Sequence, residues 1–98
     1  MKKRKKIYRR NWTPRVESKK FQEIKKKVKA RDKSICGLCG KYRSRGEIHH
    51  IRKWADNPYL RYEERNLIYL DFVCHKKIKG CEDSYIPIFE NKIREKYS

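Results

Sequence analysis

No apolar run in the chain is long enough to cross a membrane, and the mean hydropathy of −1.16 excludes a spanning protein. The basic start, MKKRKKIYRR, has the charge of a secretory leader, but no apolar stretch follows it, so it does not read as one. A cytoplasmic protein with reduced thiols is expected. Acidic residues are also scarce. Twelve Asp and Glu stand against 29 Lys and Arg, a formal charge of +17 over 98 residues. A self-contained globule has no use for that excess, so a polyanionic partner is expected, nucleic acid ahead of an anionic membrane surface. Internal repeats are missing too, and the length suits one domain with little surplus core.

Seven of the first ten residues are Lys or Arg. Residues 1–11 read as a disordered basic tail, because like charges repel and little there is apolar. Residues 12–98 read as the domain. Thr13-Pro14 predicts a helix start, with Thr13 as the cap. The helix runs to about residue 31, with Phe21, Ile24 and Val28 as one apolar stripe on a cationic rod. Asp32, Lys33 and Ser34 end it. A strand is predicted over 47–51 and another over 67–70, joined by a loop of about fifteen residues that carries Trp54, Tyr59 and Tyr62. A helix follows from Cys74 to Gly80. The last helix is predicted to open at Ser84-Tyr85-Ile86-Pro87 and to use Phe89, Ile93 and Tyr97 as its apolar face. The fold class is α+β.

Four cysteines in a reducing compartment point to a metal before they point to disulfides. Cys36-x-x-Cys39 is half of a tetrahedral zinc site, and Gly37 and Gly40 suit a knuckle whose backbone amides face sulfur. Cys74 is the natural third ligand. The fourth is either Cys81 or Asp71, and Cys81 is preferred because thiolate suits zinc better. All three histidines of the chain, His49, His50 and His75, fall close to this knuckle. Surface contact with phosphate would explain any one of them alone.

Together, "CGLCG…EIHHI…RNLIYL…CHKKI" resembles the HNH nuclease motif, and the stretch HHIRKWADNPYLRYEERNLIYL is similar to the small phage type in particular. The resemblance covers residues 36 to about 80 and implies a ββα-metal unit with a zinc knuckle, flanked by an N-terminal basic helix and a C-terminal helix. It departs from the family at Asp71, where a third cysteine is usual, and at Lys79, where some members carry a further histidine. Carried onto this chain, the family's roles make His49 and His75 ligands of a catalytic divalent ion and His50 the general base. Asn66 becomes the tether that fixes the inter-strand loop and so orients His50. The implied cofactors are Mg²⁺ or Mn²⁺, with Ni²⁺ or Zn²⁺ as further candidates for the imidazoles, besides a structural Zn²⁺. The implied activity is hydrolysis of DNA phosphodiester bonds in a bacterial cytoplasm, as for a phage-encoded enzyme.

Arg52, Lys53 and Arg61, beside the histidines, are the expected DNA contacts. Trp54 and Tyr59 either stack on DNA or anchor their loop. A non-catalytic zinc-ribbon protein that binds nucleic acid is the alternative.

Overall fold

A computed structural model describes residues 14–55 and 57–98, with side chains from position 19 onward. The expected tail and the Thr13 cap lie outside the described residues. Helix α1 spans Pro14–Arg31, strand β1 Gly46–His50, strand β2 Leu67–Asp71, helix α2 Phe72–Ile78 and helix α3 Glu82–Lys96. The described residues thus form a small α+β unit with one two-stranded antiparallel sheet and three helices. Two short 3₁₀ turns, Pro58–Leu60 and Glu64–Asn66, shape the connection between the strands.

All five residues of β2 are buried, so helices must cover both faces of a sheet only two strands wide. Alternation along β2 divides the work. Ile68 and Leu70 join Cys36, Ile51, Cys74, Ile78, Phe89 and Ile93 in the main core, on the side of α2 and α3. Tyr69 turns the other way, with the Lys29 ammonium of α1 5.8 Å from its ring centre. Val28 of α1 is fully buried, and Phe21 and Ile24 are half-buried. Phe89 and Ile93 dock α3, and full burial of such side chains is worth about 1.5–3 kcal/mol each.

Helix α2 opens at Phe72, two residues before the expected Cys74, because Asp71 caps it, and it ends at Ile78 rather than Gly80. Two further features differ from the sequence expectation. Helix α3 opens at Glu82, and Pro87 sits inside it, not in its first turn. Pro87 is on an exposed face, where water can serve the carbonyl that the missing N–H leaves free. The second feature is a buried ion network at the end of α1. The Asp32 carboxylate is 97% buried. It accepts from Arg31 Nε at 2.8 Å and Nη2 at 2.9 Å, and from the Tyr69 backbone N–H at 3.0 Å. Lys96 Nζ at the end of α3 is 3.4 Å away. Arg31 also donates to the carbonyls of Leu67 at 2.6 Å and Glu64 at 2.8 Å. Asp32 therefore does more than end a helix, because it ties α1, β2 and α3 together.

The register pairs His49 with Ile68 and His50 with Leu67. Opposed residues share a face, so His49 points into the main core and His50 toward α1. This register sets the functional geometry.

Candidate metal centre and histidine cleft

Between α1 and β1 the chain folds into a small knuckle closed by an isolated bridge between Ile35 and Tyr42. The Leu38 N–H donates to Cys36 Sγ at 3.4 Å, as amides do around a metal-ligating sulfur. Gly37 lies flat on β2, its N–H donating to the Tyr69 carbonyl at 2.8 Å. A Cβ there would collide with the Ile68 side chain, so only glycine permits the approach. Gly40 has φ +75°, a left-handed turn that returns the chain beneath Cys36.

Asp71 is the last residue of β2 and the N-cap of α2. Its Oδ1 accepts from the Cys74 backbone N–H at 2.7 Å, which leaves Oδ2 to face the thiols, 3.3 Å from Cys39 Sγ. One ligand atom each from Cys36, Cys39, Asp71 and Cys74 lies within 4.8 Å of the other three. Metal–sulfur bonds of about 2.3 Å put tetrahedral neighbours about 3.8 Å apart, so one ion fits with a small contraction. This Cys₃Asp cluster could hold a metal ion.

Of the two residues expected as the fourth member, Asp71 and not the preferred Cys81 stands with the three cysteines. Cys81 is exposed and serves as the backbone N-cap of α3, outside the cluster. The spacing Asp71-x-x-Cys74 reproduces that of the first knuckle. Its capping role holds the carboxylate beside Cys74, an advantage that a comparison of ligand softness leaves out.

The groups of the cluster shift one another's protonation. Burial pushes the Cys36 thiol up, but the backbone N–H groups of Cys39, Asp71 and Leu38 outweigh it and hold the thiol below its ordinary value. The Cys74 thiol is pushed up to about 12 by burial first and then by its neighbours Cys36, Cys39 and Asp71. Three thiols and a carboxylate packed this closely cannot all ionise without positive charge among them. The Asp71 carboxyl is held below its usual range, chiefly by the Cys74 N–H, and Arg43 Nε lies 3.9 Å from its Oδ2.

A second centre lies where β1 meets α2 and the start of α3. His49, His50, Lys53, His75, Glu82 and Asp83 line a cleft of about 230 Å³. His49 and His75 meet edge to face with ring centres 5.7 Å apart, and Phe89 backs His49 at the same distance. His49 is 8% exposed, and its Nε2 is buried without a hydrogen-bond partner. Burial first, then the charge of His75, lowers the His49 pKa to about 4. It is neutral at cellular pH and has the lone pair that a metal ligand needs. An imidazole nitrogen about 2.1 Å from an ion puts its ring centre about 3.2 Å from that ion. Two such rings at ordinary coordination angles then sit roughly 4.5–5.2 Å apart, slightly closer than the observed pair. The ring-centre spacing of His49 and His75 is thus a few tenths of an ångström longer than that of two ligands sharing one ion.

No protein-family model, curated protein or solved structure matches this chain. The chemistry of the cleft must be read from its own residues.

His50 stands at the end of β1, half-buried, stacked on Phe21 of α1 with ring centres 5.6 Å apart and planes 21° from parallel. Its Nε2 is 3.0 Å from the Arg61 carbonyl. A carbonyl can only accept, so that nitrogen carries the proton and the other keeps the lone pair. Burial is the main cause that lowers its pKa below the ordinary value. Asn66 pins the loop that supplies this carbonyl. Its Oδ1 accepts from the Arg52 N–H at 2.9 Å and its Nδ2 donates to the Arg52 carbonyl at 3.0 Å. A third bond reaches the Leu60 carbonyl at 3.4 Å. Replacing Asn66 would therefore release both the end of β1 and the segment that carries Arg61.

The three basic residues expected to meet DNA have different surroundings. Lys53 is exposed at the cleft. Arg52 forms a two-point ion pair with Glu90 of α3, Nε to Oε2 at 2.6 Å and Nη2 to Oε1 at 3.1 Å. The Arg61 guanidinium lies over the rings of Trp54 at 4.4 Å and Tyr62 at 5.3 Å. Trp54 thus anchors the loop, whereas Tyr59 is 78% exposed and anchors little. Phe21 was legible only as part of the α1 core stripe. Its place under His50 depends on how α1 crosses the end of β1, and no local pattern records that crossing.

Proposed function

We propose that the chain is a small metal-dependent endonuclease of the HNH type that hydrolyses phosphodiester bonds of DNA. The observation that carries this reading is the cleft. Two imidazoles from a strand end and a helix meet at 5.7 Å, and His50, whose ring is tethered by a carbonyl, is the next residue of β1 and also borders the cleft. Surface histidines that merely touch phosphate have no need of a buried, unpartnered nitrogen.

In this reading His49 and His75 hold the divalent ion, Mg²⁺ or Mn²⁺ in the cell. The ion, when bound, supplies Lewis-acid polarisation of the phosphate and charge relief at the leaving 3′ oxygen. His50 takes a proton from the attacking water on its free ring nitrogen. The Arg61 carbonyl fixes its tautomer, Asn66 fixes that carbonyl, and Phe21 holds the ring plane. A pKa below the ordinary imidazole value keeps His50 unprotonated at cellular pH. The Cys₃Asp cluster holds a structural Zn²⁺, which joins the knuckle to the β2–α2 corner. Lys53 and the lysines of α1 make the phosphate contacts, which position DNA without reading its sequence.

Incubation of zinc-loaded protein with supercoiled plasmid and Mn²⁺ or Mg²⁺ tests the proposal. Conversion to nicked or linear forms, stopped by a chelator, is the expected outcome. Salt-sensitive DNA binding without cleavage under any divalent metal would leave a non-catalytic zinc-ribbon binder instead.

A further inference from the structure

We propose that Glu82, the first residue of α3, is a third protein ligand to the divalent ion held by His49 and His75. The inference rests on the reading of the cleft given above and adds to it a carboxylate outside the His-Asn-His set.

The argument begins with charge. The chain carries +17, the cleft has Lys53 at its rim, and two neutral imidazoles offer a cation no compensating charge. A divalent ion entering there needs a nearby anion, and oxygen is also the donor that Mg²⁺ and Mn²⁺ prefer. Three carboxylates elsewhere in the fold are already engaged. Asp32 pairs with Arg31 and Lys96, Glu90 pairs with Arg52, and Asp71 faces the thiols. Glu82 forms no ion pair with any described residue. Its Oε1 accepts from the Gly80 N–H at 3.1 Å.

Topology puts it within reach. The chain turns at Gly80, and the Cys81 N–H bonds back to the Ile78 carbonyl at 2.9 Å, so α3 starts directly against the helix that bears His75. Glu82 and Asp83 both line the histidine cleft. Asp83 is exposed and also borders a neighbouring depression with Arg52, Asn57 and Ile86, whereas Glu82 is half-buried. The second, independent sign of a ligand is His49, a residue of the cleft wall over nine-tenths buried, whose Nε2 has no hydrogen-bond partner. The donor atoms of His49, His75 and Glu82 do not all lie within 4.8 Å of one another. Glu82 joins by rotation about its own side-chain bonds away from Gly80.

The test is Mn²⁺ binding to the full-length, zinc-loaded protein, followed by the electron paramagnetic resonance signal of free Mn²⁺, so cleavage is not the readout. The proteins are wild type, His75→Ala, Glu82→Gln and Asp83→Asn. Gln can still accept from Gly80, so α3 keeps its start, and circular dichroism with zinc content checks the fold. Expected are one Mn²⁺ per wild-type chain and weakening of about tenfold or more in both His75→Ala and Glu82→Gln. Asp83→Asn should stay within a factor of about three. Loss in His75→Ala with Glu82→Gln unchanged would overturn the Glu82 assignment and leave the histidine pair standing. Equal weakening in Glu82→Gln and Asp83→Asn would overturn it too, as a diffuse charge effect. No Mn²⁺ binding by wild type, or none lost in His75→Ala, would remove the histidine site itself.

Discussion

Asparagine at position 71 would keep the α2 cap and remove the fourth metal donor. The Asp71 Oδ1 accepts from Cys74 N at 2.7 Å, a bond that an asparagine oxygen can also make. Oδ2, 3.3 Å from Cys39 Sγ, is the atom that would reach the ion, and an amide replaces it with a poor donor. Four-ligand structural sites bind zinc with apparent energies of about 10–16 kcal/mol. An even share puts one ligand at roughly 3 kcal/mol, or about a hundredfold in affinity. Asp71→Ala should lose the cap as well, a further cost of about 1 kcal/mol in stability. For a domain of this size that lowers the melting temperature by about 4–8 °C beyond Asp71→Asn. Zinc release to a chromogenic chelator, with elemental analysis of the purified proteins, measures the first effect, and thermal melts measure the second. Cys81→Ser should retain zinc. The reasoning fails if Cys81→Ser strips the metal while Asp71→Asn keeps it.

Two further outcomes follow from buried charge. Folded His49 takes up a proton only near pH 4, whereas the unfolded chain does so near 6.5, so between these values the unfolded state binds more protons. Stability from this group is therefore full above about pH 6.5 and falls as pH drops toward 4, by an upper limit of about 3 kcal/mol. Urea unfolding at several pH values, without added divalent metal, should show a slope that shrinks in His49→Leu; an unchanged slope contradicts the burial argument. Asp32→Ala leaves Arg31 and Lys96 facing an empty site and should cost about 3–5 kcal/mol, readable as a large drop in denaturant midpoint. A loss under about 1 kcal/mol would mean that the network holds little.

The elements that sequence reasoning located best are those with local signals. The bounds of α1 follow from Pro14 at its start and from Asp32, Lys33 and Ser34 after its end, and β1 and β2 fall within a residue of expectation. Pro87 resembles a helix start and so points to an opening at Ser84, two residues after the observed one at Glu82, although an exposed proline is tolerated within this helix. At the metal centre, Cys36, Cys39 and Cys74 were legible from spacing. The choice of Asp71 over Cys81 needed a fact of geometry, namely that a capping aspartate is held beside Cys74. The convergence of His49 with His75 was an expectation from family resemblance, and the register with Ile68 supplies its physical basis. The Arg31–Asp32–Lys96 network and the Phe21–His50 stack join residues far apart in sequence, with no periodicity to announce them. Glu82 went unnoticed because a lone acidic residue at a helix start usually just answers the helix dipole.

The central claim is that His50 acts as a base on water in the histidine cleft. The most direct measurement compares wild type and His50→Ala for cleavage rate and for affinity on one DNA substrate with saturating Mn²⁺. Loss of a general base should slow cleavage about 10²–10⁴-fold and leave DNA affinity, zinc content and circular dichroism near wild type. Cleavage by His50→Ala at the wild-type rate would contradict the account.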